Sequence, residues 1–221
     1  MKGERVTPAT EQIARRLNDA GFAMGTVSYR LGGTLKDLPP EFGRPVRRNR
    51  KATARSGVTL RPRLFGAAFE CARQDIGVAI KFARENIKRW PIKSDRVGLI
   101  GVSAGGIAGL SLAYPPGNLP TPDRPDAVFA VSSAMVQPWR LKLAGPPCIM
   151  LNSVVDRIIG PENARRTQHL AETNDAAVDV LMCSRRGHNA PVSALLKDND
   201  TAGSAYWDHM IDLFERALTG T

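Results

Sequence analysis

A few side chains in this sequence have the types and setting for acyl-transfer chemistry. Ser103 stands between Gly101 and Gly105, at the end of the apolar run Val97-Gly98-Leu99-Ile100-Gly101-Val102 and ahead of the small apolar stretch Ile107, Ala108, Leu110, Ser111, Leu112. In a G-x-S-x-G arrangement a sharp strand-to-helix turn strains the backbone of the central residue, and the residues two positions either side must lack a Cβ to avoid clashing. The turn lifts the hydroxyl clear of the sheet and aims the first helical N–H groups, at Ala104 and Gly105, toward a bound oxyanion. The plainer alternative is a glycine-rich turn that binds a phosphate or nothing.

A serine hydroxyl attacks only when a base removes its proton, and the base needs an acid to hold its tautomer. There are three histidines. His188 follows a strand-like segment in Arg185-Arg186-Gly187-His188-Asn189, where an open α/β sheet presents ligand-facing residues, whereas His169 and His209 fall within helical patterns. The acid is expected between serine and histidine in chain order, again after a strand. Asp156 fits; Asp179 lies inside a strand pattern and Asp175 at the wrong end of it. A cap on the segment before Pro161, or a pair with Arg157, would explain Asp156 equally simply.

The elements that must position these residues alternate in type. Residues 10–20 read as a helix, with Thr10 as N-cap and Gly21 as its stop, and residues 22–29 as a strand. From about 33 to 65 no period is sustained, and Pro39, Pro40, Pro45 and Pro62 break whatever begins, so a basic loop or lid is expected there. Residues 65–89 carry Ala68, Cys71, Ala72, Ile76, Ala79, Ile80, Ala83 and Ile87 at helical steps. Beyond the elbow, 127–133, 147–152 and 178–183 read as strands, and 161–173 and 202–218 as helices. This alternation predicts an α/β fold: a mostly parallel sheet of about five strands, covered by helices on both faces, in a single domain spanning 1–221.

Composition narrows the classes. The 221 residues, 43% hydrophobic, suffice for one α/β core, and no apolar stretch approaches the roughly 20 residues a membrane span requires. The opening Met1-Lys2-Gly3-Glu4-Arg5 is no signal-peptide start, and Cys71, Cys148 and Cys183 are widely spaced, so buried free thiols and a cytoplasmic location are expected. The net charge is +10, and Arg44, Arg47, Arg48, Arg50, Lys51, Arg55, Arg61 and Arg63 follow one another without an acidic residue. A solvated basic surface explains that run most simply; an anionic partner is the sharper reading. No aromatic residue interleaves it, which argues against nucleic acid.

Taken together, the segment from Asp75 through Trp90 to Gly106, the stretch Asp156-Arg157-Ile158-Ile159-Gly160-Pro161-Glu162-Asn163-Ala164, the pair Gly187-His188 and the triplet Tyr29-Arg30-Leu31 resemble the α/β-hydrolase superfamily. The resemblance is to its esterase/lipase branch with a G-x-S-A-G-G elbow, and it runs from about Ile13 onward. It implies hydrolysis of small-molecule carboxylic esters, with Ser103 as nucleophile, His188 as general base and acid, Asp156 as orienting carboxylate, and no metal or organic cofactor. The rival reading is a hydrolase-like protein of weak or no catalysis that binds an anionic partner through its basic segment. A homo-oligomer is compatible with either.

Members of that branch carry a His-Gly-Gly loop, after the strand preceding the first helix, whose backbone N–H groups complete the oxyanion hole. The sequence as given begins a few residues before that helix, so a truncated α/β-hydrolase fold is expected; Gly32-Gly33 is no replacement, since it follows Tyr29-Arg30-Leu31. Without the intervening strand, residues 22–29 are expected to pair directly with 97–102, because buried unpaired edge groups would cost about 1–3 kcal/mol each. The basic segment is expected near the mouth of the site.

Overall fold

The computed structural model describes residues 7–61, 65–142 and 144–219. Its sheet has four parallel strands in sequential order: β1 (Gly98–Val102), β2 (Ala127–Val131), β3 (Cys148–Val155) and β4 (Val178–Arg186). Around it lie α1 (Pro8–Asp19), α2 (Gly43–Arg55), α3 (Ala67–Asn86), α4 (Ala104–Ala113), α5 (Pro161–Asn174), α6 (Ala190–Lys197) and α7 (Tyr206–Leu218).

The central strand explains the layering. All of β2 is buried, as expected for a strand covered on both faces. Phe129 and Val131 point into a cluster with Ile13 and Leu17 of α1, Leu195 of α6 and Met210, Leu213 and Phe214 of α7. Val128 and Ala130 point the other way, to Leu110 and Ala113 of α4. Full burial of such side chains contributes about 1.5–3 kcal/mol each. α4 is apolar all round and buried from Gly105 to Ala113, with α3 over its outer side through Phe69, Ala72, Ile76 and Ile80. Inside α3 the buried Arg73 guanidinium donates to Glu70 at 2.6 Å and to the Pro120 carbonyl at 3.0 Å, tying that helix to the loop beyond α4.

The strand expected at 22–29 does not form, and the sheet has four strands, not five. Residues 22–29 carry no regular structure and no ladder to β1. They are held by side chains: Phe22 stacks edge-on against Phe214 with centroids 6.2 Å apart, and Arg30 clamps Asp75 of α3 through its backbone N–H, Nε and Nη2. Unpaired edge groups force a ladder only where the edge is buried. Leu99 and Ile100 are only half-buried and Val102 is 41% exposed, so water can satisfy the edge groups that a ladder would otherwise have to.

Other boundaries shift for local reasons. α1 begins at Pro8 with Thr7 as its cap, whose hydroxyl accepts from Thr10 N–H, the residue expected to cap. Within the stretch expected as a loop, Gly43–Arg55 is helical. Pro45 falls in the first turn, where backbone N–H groups have no intrahelical acceptor, and Val46 and Thr53 seat the helix, with Thr53 donating to the Val136 carbonyl at 2.7 Å. Arg44, Arg47, Arg48, Arg50, Lys51 and Arg55 are exposed on it and belong to no ion pair among the described residues; Arg63 lies outside those residues. The far end of the segment meets the first turn of α5, where Thr59 N–H donates to Asn163 Oδ1 at 3.0 Å. α6 has no counterpart in the sequence reading. No helix among the described residues is long and apolar enough to cross a membrane.

Candidate active site

Ser103 follows β1 directly and caps α4, with φ 53° and ψ −115°, a conformation that only an enforcing turn maintains for a residue with a Cβ. Its N–H donates to the Val131 carbonyl at 2.8 Å and its carbonyl accepts from Ile107 N–H at 3.0 Å, fixing the turn from both sides. The glycines show why the motif has this spacing. A Cβ on Gly101 would stand 2.5 Å from the Gly106 nitrogen and 2.6 Å from the Gly105 carbonyl oxygen, and one on Gly106 would stand 2.8 Å from the Gly101 oxygen. The tight partner of Gly101 is therefore the peptide joining Gly105 to Gly106; outside its own helix, a Cβ on Gly105 would meet only the Tyr29 hydroxyl among the described residues, at an ordinary 3.5 Å. Gly101→Ala is expected to lose at least about 1–3 kcal/mol in a urea titration, because backbone is what the methyl meets and backbone cannot move aside.

His188 sits just past β4. Gly187 turns the chain with φ 114°, its N–H donating to the Val155 carbonyl at 2.7 Å, and the Ser132 hydroxyl donates to the His188 carbonyl at 2.6 Å. Ser132, buried at the carboxyl end of β2 with φ 50°, is thus a supporting residue that the sequence reading passed over; its place after an apolar strand was the available signal. Asp156 comes one residue after β3. Its Oδ1 accepts from Ile158 N–H at 2.7 Å and Ile159 N–H at 3.1 Å, leaving Oδ2 free to turn toward the histidine.

These three residues, from the ends of three different strands, meet in series. Ser103 Oγ lies 2.9 Å from His188 Nε2, and His188 Nδ1 lies 2.7 Å from Asp156 Oδ2. Side-chain exposure falls along the chain of contacts, with His188 at 16% and Asp156 at 1%. The carboxylate is sheltered and held by backbone donors, while the imidazole reaches outward to the hydroxyl. Ahead of the Ile107–Ser103 bond, the N–H groups of Ala104 and Gly105 lie in the first turn of α4, where no intrahelical acceptor is available.

The other candidates are placed elsewhere. His209 pairs with Asp200 at 2.7 Å, which holds that carboxyl below the usual range, and His169 is exposed on α5. Cys71, Cys148 and Cys183 are buried and unbridged, and burial pushes each thiol's pKa up, so none has thiolate character. No group of three or more metal-ligating side chains occurs among the described residues.

No protein-family model and no curated protein matches the chain. Solved structures do. A truncated carbohydrate esterase from gut microbiota superposes with a TM-score of 0.52 at 15% identity, over 66% of this chain and 68% of its own. The esterase Est2 of the Planctomycetes species Thermogutta terrifontis gives 0.51 at 15% identity over 66% and 63%, and MGS-M1, an α/β hydrolase enzyme from a deep-sea metagenome library, gives 0.50 at 16% over 66% and 64%. The chain thus spans less than two thirds of the length of the latter two. The likeness is one of fold: a parallel sheet between helices, as in the α/β hydrolases.

Proposed function

We propose that this chain is a serine hydrolase that cleaves carboxylic esters of small molecules. The observation that carries the reading is the unbroken series Ser103–His188–Asp156, with the serine held on a strained turn at the head of a helix. His188 Nε2 takes the Ser103 proton as Oγ attacks the ester carbonyl. Asp156 holds the Nδ1–H tautomer and stabilises the imidazolium. The developing oxyanion falls to the N–H groups of Ala104 and Gly105, and His188 returns its proton to the leaving alcohol. Water then repeats the sequence on the acyl-enzyme.

The esterase names among the structural neighbours support the same reaction class, as does the order serine, aspartate, histidine along the chain. On this reading the molecule is one hydrolase domain. The test is incubation of the folded protein with a fluorophosphonate and intact-mass measurement. A single adduct mapped to Ser103 is expected; no adduct, or one on another residue, excludes this nucleophile.

A further inference from the structure

A tetrahedral oxyanion accepts more than one hydrogen bond, and each donor removed costs about 10²–10³ in turnover. The N-terminus of α4 supplies donors from one side. Tyr29 brings its hydroxyl to 3.5 Å from the space a Gly105 Cβ would fill, and outside that helix no other group of the described residues lies within 4 Å of the point. Gly105 Cα lies about 3.8 Å from the Cα of Ala104, so the phenol stands at the same end of the helix as the Ala104 N–H.

We propose that the Tyr29 hydroxyl donates a hydrogen bond to the oxyanion formed on attack by Ser103, completing the hole that Ala104 begins. The proposal rests on the hydrolase reading above. The hydroxyl accepts or donates no hydrogen bond among the described residues, although its ring packs into the cluster of Ile107 and Ile159. A half-buried phenol normally finds a partner, and one facing a reaction centre finds it when charge develops there. Burial also raises its pKa, so the proton is retained for donation.

The backbone beside it is fixed. Arg30 N–H donates to Asp75 Oδ2 at 2.8 Å, its Nη2 to Asp75 Oδ1 at 2.7 Å, and its Nη1 to the Asp37 carbonyl at 2.8 Å. That clamp pins the residue after Tyr29 to α3, so the donor is held in place before substrate arrives, the condition under which such a donor is effective. No proton is transferred from the phenol. It bonds the carbonyl oxygen as negative charge builds and is released when the carbonyl re-forms and the alcohol leaves with the proton delivered by His188.

The experiment compares the parent protein with Tyr29→Phe, which keeps the ring and its packing, on p-nitrophenyl acetate at a temperature where circular dichroism shows both folded. A fall in kcat of about 10²-fold is expected, with KM within about twofold and an equal fall in affinity for a trifluoromethyl ketone, whose adduct carries the same oxyanion. Unchanged kcat in a variant that still labels to completion at Ser103 overturns the Tyr29 role and leaves the triad standing. A loss of kcat with undiminished ketone affinity likewise overturns it, since a packing defect would act that way. Failure of the parent to label at Ser103 overturns the hydrolase reading, and this proposal with it.

Discussion

Ser103→Ala is expected to reduce kcat on p-nitrophenyl acetate by about 10⁴- to 10⁶-fold, the range seen when a triad nucleophile is removed, and to abolish fluorophosphonate labelling. The size of the effect follows from the geometry. No other hydroxyl is hydrogen-bonded to His188 Nε2 among the described residues, and the turn that presents Ser103 is anchored by its backbone through Val131 and Ile107. Deleting Oγ therefore removes the attacking atom and leaves the turn in place. Thermal unfolding should shift by no more than a few degrees, since one exposed-side hydrogen bond is lost and alanine meets the same strain at φ 53°. A variant that kept parental kcat would show that ester cleavage in the preparation comes from another nucleophile.

How much of this was legible beforehand depended on whether local rules were enough. The sharp turn at Ser103 was, because a glycine-bounded serine between an apolar run and a small-residue helix satisfies one steric problem in few ways: a Cβ on Gly101 would run into the peptide joining Gly105 to Gly106. That His188 and Asp156 meet Ser103 was legible because both follow apolar strand patterns, the aspartate between serine and histidine along the chain. α2 was not. Its only buried side chains are Val46 and Thr53, seven residues apart among arginines, so its inner face offers a single apolar side chain, and prolines and polar residues mask the helical pattern. α6 leaves only a short helical signature, Pro191 in its first turn and the buried Ala194 and Leu195, within eight residues.

Residues 22–29 show a different limit. Their composition is that of a strand, and Phe22 and Met24 face one cluster while Tyr29 faces the other, as alternation requires. A strand nevertheless forms only where the rest of the fold brings the segment into register beside a sheet edge, and that depends on residues far away in the chain. The same freedom from a ladder leaves Tyr29 to be positioned by Arg30 and Asp75, which is why its hydroxyl arrives at the elbow.

Asp156→Asn should lower kcat by about 10⁴-fold at neutral pH while leaving KM and the unfolding midpoint nearly unchanged. The carboxylate is divided between two tasks: Oδ1 accepts from the N–H groups of Ile158 and Ile159, and Oδ2 accepts from His188 Nδ1–H. An asparagine must keep its carbonyl oxygen toward the two backbone donors, because turning its NH₂ group there would set donor against donor in a nearly closed site. The NH₂ group then faces His188 Nδ1, which can meet it only as an acceptor. The ring proton moves to Nε2, where it points at Ser103 Oγ, and the base is lost. A residue that merely capped the Ile158–Ile159 turn would be replaced by asparagine with little consequence, since the amide oxygen caps as well as the carboxylate does. Steady-state kinetics on Asp156→Asn therefore separates the two roles: a drop of several orders of magnitude assigns the carboxylate to the histidine tautomer, and activity within a few-fold of the parent reduces it to a turn cap.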